Sequence, residues 1–338
     1  MESSIPVFDR MRASRGCCGA LNTLTRRALA LAAPVAVSAS LLAGCSSAPG
    51  SSAASSASAS RSADAATPTG AAPSTTSTAN AAFAALETQF HAQFGLYAID
   101  TGTGRSVAYQ ADERFAFCST IKAFAASVLL QRDTAQQLDQ VVTYSKSDLV
   151  DYSPVTSLHV TTGMTLSAIM AAALTISDNT ALNLMLNQIG GPSALQAALR
   201  TLGDTTTNVD RTEPTINSAT PGDPRDTSTA QALATDLRAF VLGDALSTSR
   251  RAQLVGWLKA NTTGGPYIRA AVPSGWEVGD KTGNGDYGTR NDMAVLWPPH
   301  AGAPIVIAVL SNRGDDQDAT SDDALIADAT RVALRVIG

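Results

Sequence analysis

Ser119-Thr120-Ile121-Lys122 opens the apolar run Ala123-Phe124-Ala125-Ala126-Ser127-Val128-Leu129-Leu130, and the pattern predicts a helix over 119–131. Residues three apart share one helix face, so the Lys122 amine falls within reach of the Ser119 hydroxyl. A serine hydroxyl is nearly inert at neutral pH, and a neighbouring base that takes its proton turns it into a nucleophile. Alone, the four-residue string is common, and a serine ahead of a helix is equally good as an N-cap.

Its companions carry the argument further. Ser177-Asp178-Asn179 follows an apolar segment and precedes a second helical pattern. Arg211-Thr212-Glu213-Pro214-Thr215-Ile216-Asn217 sits in a turn-rich stretch, and Lys281-Thr282-Gly283 lies on a predicted strand. Ser-x-x-Lys, Ser-Asp-Asn and Lys-Thr-Gly in that order form the motif set of class A β-lactamases and penicillin-binding proteins. From about Ala81 to the C-terminus the chain resembles a class A serine β-lactamase.

The resemblance assigns a role to each position. Ser119 would attack the lactam carbonyl, with Lys122 or Glu213 taking its proton. Ser177 would relay a proton to the departing nitrogen. Glu213 would act as general base for the water that releases the acyl group. The backbone N–H groups of Ser119 and Asn284 would bind the carbonyl oxygen. Asn179 would position substrate and Lys122, and Asn217 would hold the hydrolytic water. Lys281, Thr282 and Arg290 would grip the substrate carboxylate, and Gly283 would let substrate approach the strand. Tyr152 would form one wall of the cleft. Arg211 and Asp226 would pair to close an Ω-loop around Glu213. The implied activity is hydrolysis of penicillins and cephalosporins, conferring β-lactam resistance, with β-lactam antibiotics and β-lactamase inhibitors as ligands.

Two positions mark this chain out. Asn284 follows Lys-Thr-Gly where the family usually has a small residue or threonine. Its carboxamide would alter the balance among penicillins, cephalosporins and inhibitors. Position 285 is glycine, so Cys118 lacks the disulfide partner of some carbapenem-hydrolysing relatives, which weighs against a carbapenemase.

Composition excludes other classes. Formal net charge is −5, and the chain has no basic surface pattern that would track phosphates, so nucleic acid is not an expected partner. The three histidines are scattered, no Cys pair has zinc-site spacing, and neither metal nor cofactor is expected. A penicillin-trapped DD-peptidase would lack the Glu213 and Asn217 pair. An α/β-hydrolase would need a Gly-x-Ser-x-Gly elbow, which is absent.

Arginines at 10, 12, 15, 26 and 27 precede an apolar run from Ala28 to Ala43, too short and too broken to span a bilayer but suited to an export signal. Thr25-Arg26-Arg27-Ala28-Leu29 resembles a twin-arginine signal, and Leu42-Ala43-Gly44-Cys45 a lipobox, with Cys45 as the lipidated residue. A Ser/Ala/Thr/Pro-rich tether follows. The expected division is 1–44 export signal, 45–80 lipidated cysteine and linker, and 81–338 enzyme: a sheet lobe over 81–116 and 267–338, a helical lobe over 117–266. The product would be a monomeric periplasmic or cell-envelope lipoprotein.

Strands at 95–100 and 105–109, helices from 119 to 241, strands at 276–282, 289–297 and 304–311 and a final helix over 322–336 give an α+β fold. A helix over 82–94 precedes them. The resemblance implies a five-stranded antiparallel sheet flanked by helices, plus an all-helical lobe.

Overall fold

The computed structural model describes residues 75–300 and 302–337. The export signal, Cys45 and the linker before residue 75 lie outside them. In chain order the elements are α1 (Thr75–Phe90), β1 (Gln93–Asp100), β2 (Ser106–Tyr109), β3 (Phe115–Ala116), α2 (Ile121–Arg132), α3 (Ala135–Leu138), β4 (Val141–Val142), β5 (Met164–Thr165), α4 (Leu166–Thr175), α5 (Asn179–Ile189) and α6 (Pro192–Thr201). They continue with β6 (Thr227–Ser228), α7 (Ala230–Val241), α8 (Thr248–Lys259), β7 (Glu277–Asn284), β8 (Arg290–Trp297), β9 (Ile305–Asn312) and α9 (Ala324–Ile337).

Both chain ends build one antiparallel sheet, ordered β2-β1-β9-β8-β7. In β9, Ile305, Ile307 and Val309 enter the core beneath α1 and α9, while Val306, Ala308 and Leu310 enter the core shared with the helices. The period of two thus lays a core on each sheet face. Such a strand, buried on both sides, reads as a continuous apolar run rather than an alternating one.

α2 is the axis of the helical lobe, with every residue from Ile121 to Leu130 buried, as its all-round apolarity requires. Its neighbours carry local start and stop signals. Thr165 and Asp178 cap α4 and α5 by accepting from Ala168 N–H and Ala181 N–H. Gly190, at φ +108°, ends α5, and Pro192 begins α6.

Three local readings differ from expectation. α1 begins at Thr75 rather than 82 and stops at Phe90. Phe94 therefore belongs to β1, where it shares an inward face with Leu96 and Ala98. Helical spacing and strand alternation compete over that short stretch, and pairing with β9 decides it. α8 was not anticipated, because its first half is polar and Gly256 interrupts it, with only Leu254 and Leu258 buried. Residue 228, expected to open the helix over 228–241, instead pairs with Phe115 in β6, and α7 begins at Ala230.

Candidate active site

The turn Cys118–Thr120 is a single 3-10 turn leading into α2. It lies against the edge strand β7: a Cβ added to Gly283 would come within 2.7 Å of the Phe117 carbonyl oxygen. Asn291 of β8 ties the same turn down, its Nδ2 donating to the Ala116 carbonyl at 2.8 Å. Gly283 is therefore required by the docking of strand on turn, a reason the sequence had not supplied. Ser119 caps nothing, since the α2 N-cap makes no side-chain hydrogen bond, so the bland reading of this serine fails.

Lys122 is wholly buried and organises the centre. Its Nζ lies 2.7 Å from Ser119 Oγ, 2.6 Å from Asn179 Oδ1, 2.9 Å from the Ser177 carbonyl and 2.9 Å from Glu213 Oε1. Burial pushes the amine below its ordinary range, while the Glu213 carboxylate opposes the shift. Ser119 Oγ also lies 3.4 Å from Glu213 Oε1. Two bases thus face one hydroxyl.

Glu213 arrives from a loop held at several points. Asp226 is fully buried; its carboxylate takes the N–H groups of Asp210 and Arg211 at 2.9 and 3.0 Å, and pairs with Arg211 Nε. The Glu213-Pro214 peptide is cis. Asn217 Nδ2 donates to Glu213 Oε2, and Asn217 Oδ1 is buried without a partner among the described residues.

On the opposite wall Lys281 Nζ donates to Ser177 Oγ at 3.0 Å. Burial, with Lys122's charge adding to it, pushes the Lys281 amine down to about 7. Thr282 Oγ1 and Thr263 Oγ1 are 2.6 Å apart. A cleft of about 240 Å³ is lined by Ser119, Tyr152, Ser177, Asn179, Asn217, Thr263, Thr282 and Asn284. Lys122, Glu213 and Lys281 are buried beneath that lining. Cys118, Tyr152 and Ser177 all have φ between +50° and +63°, the kind of backbone strain that concentrates at functional sites.

Thus the motif residues converge with two qualifications. Arg290 does not line the cleft; it donates to Asp323 at 3.0 Å and pairs in register with Asn284, which does line it. Gly285 faces Cys118, where an added Cβ would sit 2.7 Å from Sγ and 2.6 Å from the Asn217 carbonyl oxygen. Asn183, Thr263 and Asn291 are contributors the motifs did not reveal. Asn183 alone left a trace, four residues after Asn179 on the same helical face.

Residues 78–337 match the family described as Beta-lactamase enzyme family. The chain belongs to that family. It is 59% identical over 256 residues to a β-lactamase of Amycolatopsis lactamdurans, covering 76% of this chain and 84% of that one. It is 55% identical over 255 residues to a β-lactamase of Bacillus licheniformis, covering 75% and 82% respectively. Among solved structures, a halotolerant bacterial β-lactamase superimposes with a TM-score of 0.75 at 50% identity, covering 75% of this chain and 98% of its own. A class A β-lactamase from Clostridium kluyveri DSM 555 gives 0.74 at 47% identity, covering 76% and 97%. The protein is a class A β-lactamase, and its reaction is hydrolysis of the β-lactam amide.

Proposed function

We propose that turnover of penicillins and cephalosporins runs through an acyl-enzyme on Ser119. The observation that carries this reading is the buried Lys122 amine, pushed below its ordinary range by burial, which bridges Ser119 Oγ at 2.7 Å and Glu213 Oε1 at 2.9 Å. Removal of the Ser119 proton, by Lys122 directly or by Glu213, lets Oγ attack the lactam carbonyl. The C–N bond then breaks, and the nitrogen takes a proton through Ser177 Oγ, which lies within reach of both Lys122 and Lys281. Glu213 next takes a proton from a water that attacks the ester, and Asn217, beside the same carboxylate, offers that water a free acceptor.

Asn179, Thr282 and Asn284 face the substrate, Tyr152 walls the cleft, Lys281 supplies charge from beneath, and Arg290 acts from behind Asn284. Arg211 and Asp226 hold the loop that delivers Glu213.

Steady-state and burst kinetics of penicillin hydrolysis by the parent and by Glu213→Ala test the scheme. Sustained turnover in the parent, with acyl group accumulating on Ser119 in the variant, is expected. One equivalent consumed and then silence in the parent would overturn it in favour of a penicillin-binding protein.

We also propose that residues 1–44 direct export by the twin-arginine route and that Cys45 is lipidated. Residues 45–80 would then tether a monomeric domain, 81–338, to the envelope. The arginine pair and the end of the apolar run at Cys45 support this. Cys45→Ser should move activity from the membrane to the soluble fraction; an unchanged distribution would exclude the anchor.

A further inference from the structure

Tyr267 is not part of any motif above. It precedes a short turn at Ile268–Ala271 and is only 5% exposed. Its backbone is pinned on both sides: its N–H donates to the Gly264 carbonyl, and its carbonyl accepts from Ala270 N–H. The next residue, Ile268, donates its N–H to Asp292 of β8 at 3.1 Å. So placed, the ring runs to the end of β7, where the phenol donates to Asn284 Oδ1 at 2.9 Å.

That hydrogen bond sets the orientation of a planar carboxamide. With Oδ1 turned to Tyr267, the NH₂ end of Asn284 points away from it. Among the described residues Nδ2 has no hydrogen-bond partner, although Asn284 lines the cleft. An amide free to rotate would offer an anion either a donor or a repelling oxygen; one held by a phenol offers the donor. The phenol keeps its proton. Burial pushes its pKa up to about 12; Arg290 opposes the rise, and the charges of Asp323 and Asp292 add to it, as does a weaker hydrogen-bonding interaction with the Asp323 carboxylate, while the phenol's close acceptor is Asn284 Oδ1 at 2.9 Å. Arg290, the register partner of Asn284, is itself held by Asp323. Tyr267, Asn284 and Arg290 therefore meet at the end of the cleft formed by β7 and β8.

We infer that Tyr267 is a positioning residue for substrate specificity: its hydroxyl locks the Asn284 carboxamide with Nδ2 toward the substrate carboxylate. The inference rests on the acyl-enzyme reading above. The carboxylate of a penicillin sits on a tetrahedral carbon of a five-membered ring. That of a cephalosporin sits on a trigonal carbon of a six-membered ring. The two present their oxygens at different angles to the β-lactam carbonyl. A donor held at one angle separates them, whereas a freely rotating one follows either.

The test measures kcat and KM for a penicillin and a cephalosporin in the parent, Tyr267→Phe, Asn284→Ala and the double variant, with melting temperatures. Tyr267→Phe removes the hydroxyl and keeps the ring. It should change the ratio of the two kcat/KM values about 5-fold, the equilibrium worth of roughly one neutral hydrogen bond, mainly through KM. In the Asn284→Ala background the same change should alter that ratio less than about 1.5-fold, because the group it orients is gone. A ratio unmoved by Tyr267→Phe, or moved equally in both backgrounds, would overturn the proposal. A lower melting temperature with an unchanged ratio would assign the phenol to stability alone and overturn it equally. Failure of the parent to turn over either substrate would instead overturn the acyl-enzyme reading.

Discussion

Asn183 and Glu213 exchange two hydrogen bonds: Asn183 Oδ1 accepts the Glu213 N–H at 2.9 Å, and Asn183 Nδ2 donates to the Glu213 carbonyl at 3.0 Å. A side chain on α5 thereby substitutes for a strand partner and fixes the backbone of a loop residue. The clamp couples the α5 face that touches Lys122 through Asn179 to the loop that carries the carboxylate.

Asn183→Ala leaves both backbone groups of Glu213 without these partners, at about 1–3 kcal/mol each where they stay buried. A displaced general base costs on the order of 100-fold in rate. Burst kinetics should show acylation less affected than deacylation, with acyl-enzyme accumulating during turnover. A kcat within a factor of two of the parent would show that the loop positions Glu213 without this clamp.

Gly283→Ala would drive a methyl to 2.7 Å from the Phe117 carbonyl oxygen and to 3.1 Å from Thr120 Cγ2. Both neighbours belong to or adjoin the Ser119 turn, so relief requires β7 and that turn to separate. We expect a loss of about 1–3 kcal/mol, as for other overpacked sites, together with slower acylation. Thermal melts and single-turnover acylation check both; an unchanged melting temperature would show that the strand edge yields freely.

Away from the cleft, Asp204 and Asp236 each bury an Oδ2 without a donor. Asp204 Oδ1 is occupied by the N–H groups of Thr206 and Thr207. Asp236 ordinarily titrates near 3.8, but burial first, and then the Asp204 charge, raise it to about 8. Its proton fills the gap between the two carboxyls. Between those two pH values the folded state holds a proton that the unfolded chain has released. Stability therefore falls as pH rises through that window, by up to ~1.4 kcal/mol per unit, and levels off above it. Asp236→Asn keeps a neutral donor without proton uptake. Melting temperatures of the two proteins should converge near the acid end of the window and separate toward its alkaline end, the variant being higher. Parallel profiles would mean that the pair shares no proton.

What was legible in the sequence follows from local chemistry. Ser119 and Lys122 are one helical turn apart, Asp178 and Thr165 are capping residues beside apolar runs, and Gly190-Gly191-Pro192 stops one helix and starts the next. Each signal is complete within a few residues. α8 was missed because two buried leucines in a polar segment make too narrow a stripe to read as a period. Phe94 was assigned to a helix because its spacing from Phe90 suits either structure.

By itself, then, the sequence determined the polar groups that converge on the cleft, their order and most of the elements that carry them, because helical and strand periodicity and capping act over short range. Only the tertiary structure decided that β1 pairs with β9, two hundred residues away, and that β7 at the sheet edge brings Lys281 to Ser177 and Gly283 against the turn that carries Ser119. It alone gave Gly283 a packing contact with the Phe117 carbonyl, showed Arg290 held by Asp323 behind Asn284, and brought in Asn183, Thr263 and Tyr267. Those roles depend on which carbonyl, hydroxyl or carboxamide faces each side chain across the cleft. That is set by packing two buried sheet faces against a helical core, over distances that no local pattern encodes.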